Sequence, residues 1–344
     1  MQRQNRKSRA LAFGLFLLVI LCAMMPQTAF AAETDGLRLY PGGMPFGVRV
    51  EMRGVPIVGL SDVVGAQGTH APARDAGIAV GDILLAINGQ ATEHADDVTR
   101  AVAASNGQPL MLTIERGETT RDIAVTPTAD KDGNYRLGMH VKDGAAGIGT
   151  VSFIFPNTGA FAGLGHGICD VDTGALLPIT RGVVTDVDIV GVHRGKSGHP
   201  GELRGVFLGG KTGTLIANAH TGVYGVFGTL PTNIPTEPLA VLAADEICEG
   251  AAKIYCTVGE KTEQYEIKLS KINPHTETKN FVVEVTDERL LSITGGIVQG
   301  MSGSPIVQDG KLVGAVTHVL INDPTRGYGI TVANMLRNMP CAIR

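Results

Sequence analysis

"GGIVQGMSGSPIVQDGKLVGAVTH", residues 295–318, sets two serines and a proline in a glycine-rich turn between runs of β-branched residues. Ile306-Val307 reads as a strand, Gln308-Asp309-Gly310 as a tight turn, and Lys311 to Val316 as the returning strand, so the stretch after the serines is a β-hairpin. Glycine before and after Ser302 keeps side chains away from its hydroxyl and leaves backbone N–H groups approachable, which an attacking oxygen requires. The plainer reading is a glycine-rich hairpin with no chemistry.

The run Gly300-Met301-Ser302-Gly303-Ser304-Pro305 resembles the G-x-S-G-x-P nucleophile turn of chymotrypsin-type peptidases. That likeness implies Ser302 as nucleophile and the N–H groups of Gly300 and Ser302 as oxyanion donors, with Ser304 structural. A nucleophilic serine needs a base, and the chain has nine histidines. His70 and His94 fall in an N-terminal unit and His140 in a connection. His193, His199, His220 and His275 lie in polar, turn-rich stretches and read as surface residues. His166, in "GAFAGLGHGICD" (residues 159–170), follows a strand and stands between Gly165 and Gly167, 136 residues before Ser302. That separation suits a histidine on one β-barrel facing a serine on another. His318 is the rival, although a position so soon after the serine hairpin predicts a ring behind the nucleophile. The acid that orients the imidazole stays open among Asp170, Asp172, Asp186, Asp188 and Asp287.

Composition narrows the class. At 344 residues, 44% hydrophobic and 18% charged, the chain has material for two cores; 46 glycines and no tryptophan favour short strands and turns. Residues 1–31 have a basic start, an apolar run from Ala10 to Met25 and small residues at Ala29 and Ala31, the pattern of a signal peptide or signal anchor. Membrane association, if any, is expected through this segment. Without it the chain carries 25 basic and 33 acidic residues, a net charge of −8, which argues against nucleic acid as a partner. Four cysteines remain, Cys169, Cys248, Cys256 and Cys341, in an expected oxidising compartment. Cys248 and Cys256 flank a short loop and are the favoured disulfide pair, with free thiols as the alternative. No metal-binding spacing occurs, so neither a metal nor another cofactor is expected.

The segment from 37 to 128 resembles a PDZ domain. Its marks are Ala76-Gly77-Ile78, the strand Gly81 to Ile87 running into an Asn88-Gly89 turn, and a helix from Asp96 to Ala104 capped by Asp96. PDZ domains add an extended peptide to a sheet edge and capture its carboxylate in a glycine-containing loop. The stretch containing Gly42, Gly43, Phe46 and Gly47 is the candidate loop, or else only a turn before a strand. Residues 129–149 read as a connection, and residues 150–344 as the catalytic unit.

The signal segment, the PDZ-like unit, "GAFAGLGHGICDVDTG", "VTDERLLSITGGIVQGMSGSP" and "GAVTHVLINDPTRGYGI" together resemble the stage IV sporulation protein B peptidases. The resemblance implies a mainly β fold with some α, a PDZ domain followed by a chymotrypsin-like double β-barrel serine peptidase. It also implies a triad of His166, Asp287 and Ser302. Asp287 lies only 15 residues before Ser302, closer than such acids usually stand, and its rival role is a cap for the helix beginning "ERLLS". By the same resemblance the enzyme is exported to the space between mother cell and forespore, cleaves itself, and cuts a membrane-anchored regulator, activating a late sigma-factor pathway. A catalytically silent PDZ scaffold that binds membrane-protein segments is the alternative. Housekeeping proteases of the high-temperature-requirement type carry the PDZ domain after the protease, the reverse of the order here.

Overall fold

The computed structural model describes residues 34–344 except 67, 118, 143, 171, 172 and 236. The expected signal segment, residues 1–31, lies outside the described residues, as does Asp172.

Twelve strands build two six-stranded barrels. The first comprises β1 (Pro45–Met52), β2 (Ala145–Ile154), β3 (Ala160–Gly163), β4 (Ile179–His193), β5 (Gly213–Ala219) and β6 (Gly222–Phe227). They pair in the ring β1-β2-β3-β6-β5-β4, closed by β4 on β1. The second barrel comprises β7 (Gly250–Thr257), β8 (Thr262–Ser270), β9 (Phe281–Val285), β10 (Pro305–Gln308), β11 (Lys311–Leu320) and β12 (Asp323–Thr331). It closes in the equivalent order, β7-β8-β9-β12-β11-β10. All the ring pairings are antiparallel, and closure leaves no open edge in either ring.

Alternation along each strand puts apolar residues inside. In β8, Tyr265, Ile267 and Leu269 are buried while Glu266 and Lys268 face out. They meet Phe281, Val283 and Val285 of β9 in one core. Each such side chain contributes roughly 1.5–3 kcal/mol on burial. In β1, Phe46, Val48 and Val50 point inward to Phe161, Leu215 and Val223.

This packing corrects the expected domain limits. Arg38–Pro41 and β1 belong to the first barrel, not to the PDZ unit: β1 is paired on both sides, by β2 (Val50 opposite Ala145) and by β4 (Met52 opposite Ile179). The PDZ unit is therefore an insertion between two neighbouring barrel strands. Its sheet runs Met139–Val141, Val55–Leu60, Ile83–Ile87, Leu110–Arg116, Thr119–Val125, and the helix Ala95–Ala104 lays Val98 and Val102 on it. The Asn88-Gly89 turn forms as expected, both residues at positive φ (51° and 77°). The helix begins one residue before the expected start, at Ala95. The carboxylate of Asp97, rather than that of Asp96, accepts from the N–H groups of Glu93 and His94.

The proposed PDZ carboxylate loop is corrected for the same reason. Gly42 and Gly43 donate their N–H groups to Ser152 and Val151, Phe46 is buried in the barrel, and Gly47 pairs with Ile148. Among the described residues, Gly42 and Gly43 therefore have no free N–H to offer a peptide terminus. Among the described residues the four cysteines are free thiols: Cys256 is fully buried inside the second barrel, whereas Cys248, Cys169 and Cys341 are exposed. An inward-facing Cys256 cannot reach across the strand wall to Cys248, so the favoured pair does not form.

Candidate active site

The barrels meet along a cleft of about 470 Å³, to which both contribute. His166 enters it from the first barrel. Just after β3, Leu164 and Gly165 both take positive φ, 66° and 68°, turning the chain toward the second barrel. A Cβ on Gly165 would stand 3.0 Å from Thr317 Cγ2, closer than ordinary contact, and the positive φ also favours glycine there. Leu164, a non-glycine residue in this conformation, marks local strain beside the site.

Ser302 enters from the second barrel. Its turn is tied to the first barrel by two bonds from Thr150, whose N–H donates to the Ser302 carbonyl (3.0 Å) and whose hydroxyl donates to the Gly300 carbonyl (2.7 Å). Gly303, at φ 97°, admits Thr150 at a distance no side chain allows: a Cβ would fall 2.0 Å from its carbonyl oxygen. The N–H of Gly303 bonds to Val316 and that of Met301 to Val298. Among the described residues the N–H groups of Gly300 and Ser302 have no protein acceptor, as oxyanion donors require.

The structure thus brings Ser302, His166 and the Gly300 and Ser302 donors to one cleft. It does not bring Asp287 there. Asp287 caps the helix Glu288–Thr294, Oδ1 accepting from the N–H groups of Arg289 (2.9 Å) and Leu290 (3.3 Å). Its Oδ2 accepts from the N–H of Glu266 and the Arg289 guanidinium. Burial opposes its ionisation, but these donors outweigh burial and hold the carboxyl below the usual range. The triad role expected for Asp287 is corrected: both its oxygens serve the helix and strand ends. Asp170 is likewise engaged, with Lys142 and Thr173, and Asp186 and Asp188 are exposed on β4.

The orienting partner of His166 is instead a backbone carbonyl. Its Nδ1 lies 2.9 Å from the oxygen of Gly167. With the proton on Nδ1 donated there, Nε2 is left as the basic nitrogen. Burial pulls the His166 pKa down, and the Gly167 bond offsets part of that.

His318 stands in the same cleft, not behind the nucleophile. Its ring lies 4.5 Å from that of His166, tilted by 33°. Desolvation first, then the charges of His166 and Lys279, push its pKa down to about 4. A register shift between Val316 and Val319 in β11 turns this segment into the cleft. Thr317 is the other residue that the sequence reading missed: its carbonyl accepts the Ser302 hydroxyl at 2.6 Å. At rest the hydroxyl therefore points to β11 and must rotate to reach His166. Among the described residues no group of three or more His, Cys, Asp or Glu is placed to hold a metal.

Comparison with known proteins finds two families on the chain and several partial relatives. A PDZ-domain family matches residues 63–116. RasP of Geobacillus kaustophilus, named as a zinc metalloprotease, is 35% identical over 77 residues, 22% of this chain and 18% of its own. HhoB of Synechocystis, which carries a serine-protease name, is 36% identical over 87 residues, 25% of this chain and 19% of its own. The chain thus spans about a fifth of the length of these relatives. Among solved structures, the inactive form of the Rv3671c protease, from Mycobacterium tuberculosis, is 16% identical, with 55% of this chain and 81% of that one covered at a TM-score of 0.32. The SpoIVB peptidase S55 family matches residues 133–336, more than half of the chain and the part that carries His166 and Ser302, and the protein belongs to that family.

Proposed function

We propose that the protein is a regulatory serine endopeptidase with Ser302 as nucleophile and His166 as base. The observation that carries the reading is that the two residues, one from each barrel, line one cleft beside two unbonded N–H groups. As Ser302 Oγ bonds to the scissile carbonyl carbon, its proton passes to His166 Nε2, and the oxyanion forms against the N–H groups of Gly300 and Ser302. His166 then protonates the amine as the C–N bond breaks, leaving an acyl-enzyme. Water attacks that ester, gives a proton to His166, and the serine oxygen leaves with it. The Gly167 carbonyl holds the ring in the tautomer each step needs.

The substrate in this proposal is a membrane-anchored regulatory protein, with the chain itself a second substrate, and the product is a signal in sporulation outside the cytoplasmic membrane. Membership in the family supports this, and the PDZ insertion supports recruitment of a protein partner. Met139–Val141 is an outer strand of the PDZ sheet and offers an edge for an added peptide strand. The silent-scaffold alternative draws on one observation, the Ser302 hydroxyl donating to Thr317 instead of His166. Resting catalytic bonds are often misaligned and tighten on binding, which favours the enzyme. Replacing the endogenous family member of a spore-forming host with this chain separates the two. The peptidase reading predicts spores from wild type and none from Ser302→Ala; spores from Ser302→Ala at equal protein level favour the scaffold.

A further inference from the structure

The cleft beside Ser302 has a chemical character that the catalytic pair does not determine. Its walls are Ile297, Val298, Gln299, Val319 and Ile148, and none of its lining residues carries a carboxylate, ammonium or guanidinium group. Its titratable groups are His166, His318 and Cys169. Beneath it, Gly327 leaves the space that Ile297 fills: a Cβ on Gly327 would come within 2.7 Å of Ile297 Cδ1. The Ile297 side chain, a lining residue of the cleft, therefore packs against Gly327.

Geometry decides which substrate side chain enters. The scissile carbonyl carbon bonds to Ser302, and its oxygen points at the N–H groups of Gly300 and Ser302. The leaving amine must face His166, which gives it a proton. The side chain on the acyl side is then turned away from His166, against the segment Ile297–Gly300 and the end of β11.

We infer that this cleft is the pocket for the residue whose peptide bond is cut on its carbonyl side, and that it selects an uncharged aliphatic or aromatic side chain there. The inference rests on Ser302 and His166 being the reacting pair. Burying an ionised side chain among these walls leaves a charge without a partner, whereas Leu, Val or Phe gains apolar contact. The expected discrimination between Leu and Lys or Asp at that position is about 100-fold or more in kcat/KM, since even one methylene in an apolar pocket is worth 10- to 200-fold.

The test uses the purified chain and peptidyl diphenyl phosphonates that differ only in the side chain next to phosphorus, beside a small fluorophosphonate with no such side chain. In each, Ser302 Oγ bonds to phosphorus, phenoxide or fluoride leaves, and the serine proton passes to His166. The Leu, Val and Phe probes are expected to label about 100-fold faster than Lys and Asp probes. Val319→Glu, at a half-buried wall position, is expected to reduce the Leu-to-Lys ratio at least tenfold, and Val319→Ala to keep the apolar preference. Rapid fluorophosphonate labelling with equal or faster reaction of Lys or Asp probes would overturn the inference while leaving the peptidase reading standing. A folded wild type that no probe labels would remove both.

Discussion

Asp287 is where chain order and geometry part. The order His, Asp, Ser suggests a triad, yet the Asp287 carboxylate closes the first turn of a helix and binds Arg289. Two substitutions separate the roles. Asp287→Ala is expected to cost about 1 kcal/mol of stability as a lost N-cap. Asp287→Ser, which keeps a capping oxygen, is expected to restore most of that, with kcat in both variants within about tenfold of wild type. A loss near 10⁴-fold in both, the size seen when a triad aspartate is removed, would return Asp287 to the mechanism. Denaturant melts and peptide turnover read the two effects independently.

The histidines give a pH prediction. Burial lowers the pKa of His166 below 6.5, so the neutral, basic form persists to lower pH than in an exposed histidine. The acid limb of kcat/KM is expected to have its midpoint below 6.5; a midpoint above 7 would mean an undetected carboxylate stabilising the cation. Stability follows the same sign. His166 and His318 have folded pKa values below their unfolded ones, so the unfolded chain binds more protons as pH falls. Their contribution is full above about 6.5 and is lost as pH falls through the folded values, about 4 for His318, and His318→Gln is expected to flatten that decline in thermal unfolding.

At the scale of elements, the serine turn depends on one close approach. Gly303→Ala places a methyl group 2.0 Å from the Thr150 carbonyl in a left-handed backbone conformation. The turn must then move off the first barrel, and activity is expected to fall at least 100-fold while circular dichroism retains the β signal. Unchanged activity would mean that the two barrels do not meet as described. The local signals in this region were legible because they are local: Gly300 to Pro305 read as a turn, Ile306 to Val316 as a hairpin, and Asn88-Gly89 as a primed turn. The cap at Asp287 was legible as an alternative, because Ser/Thr/Asp before a helical run is a short-range pattern. His318 was misplaced and Thr317 passed over because a register shift inside β11, invisible to alternation, turns this segment into the cleft. The Gly167 carbonyl was missed because backbone acceptors leave no mark in residue types.

At the scale of the molecule, the sequence order of the domains hid their nesting. A strand such as Pro45–Met52 has the same alternation in either unit, and only its partners, Ala145–Thr150 and Ile179–Asp186, assign it to the barrel. The nesting has a consequence that experiment reaches. Val50 and Ala145 are directly paired, so the ends of the PDZ insertion lie about 5 Å apart, within reach of a short turn. Replacing residues 53–143 with a Gly-Ser turn is expected to leave folded barrels that still react with a fluorophosphonate but process a protein partner more slowly. A variant that does not fold would show that the insertion also supports the barrel.

In the proposed mechanism Ser302, served by His166, is the nucleophile. Intact-mass measurement of the mature chain after incubation with a fluorophosphonate, wild type beside Ser302→Ala and His166→Ala, tests it most directly. One adduct is expected on wild type, located to Ser302, none on Ser302→Ala, and labelling slowed by about 10⁴-fold or more in His166→Ala. Equal labelling of wild type and Ser302→Ala, or a folded wild type that stays unmodified, would contradict it.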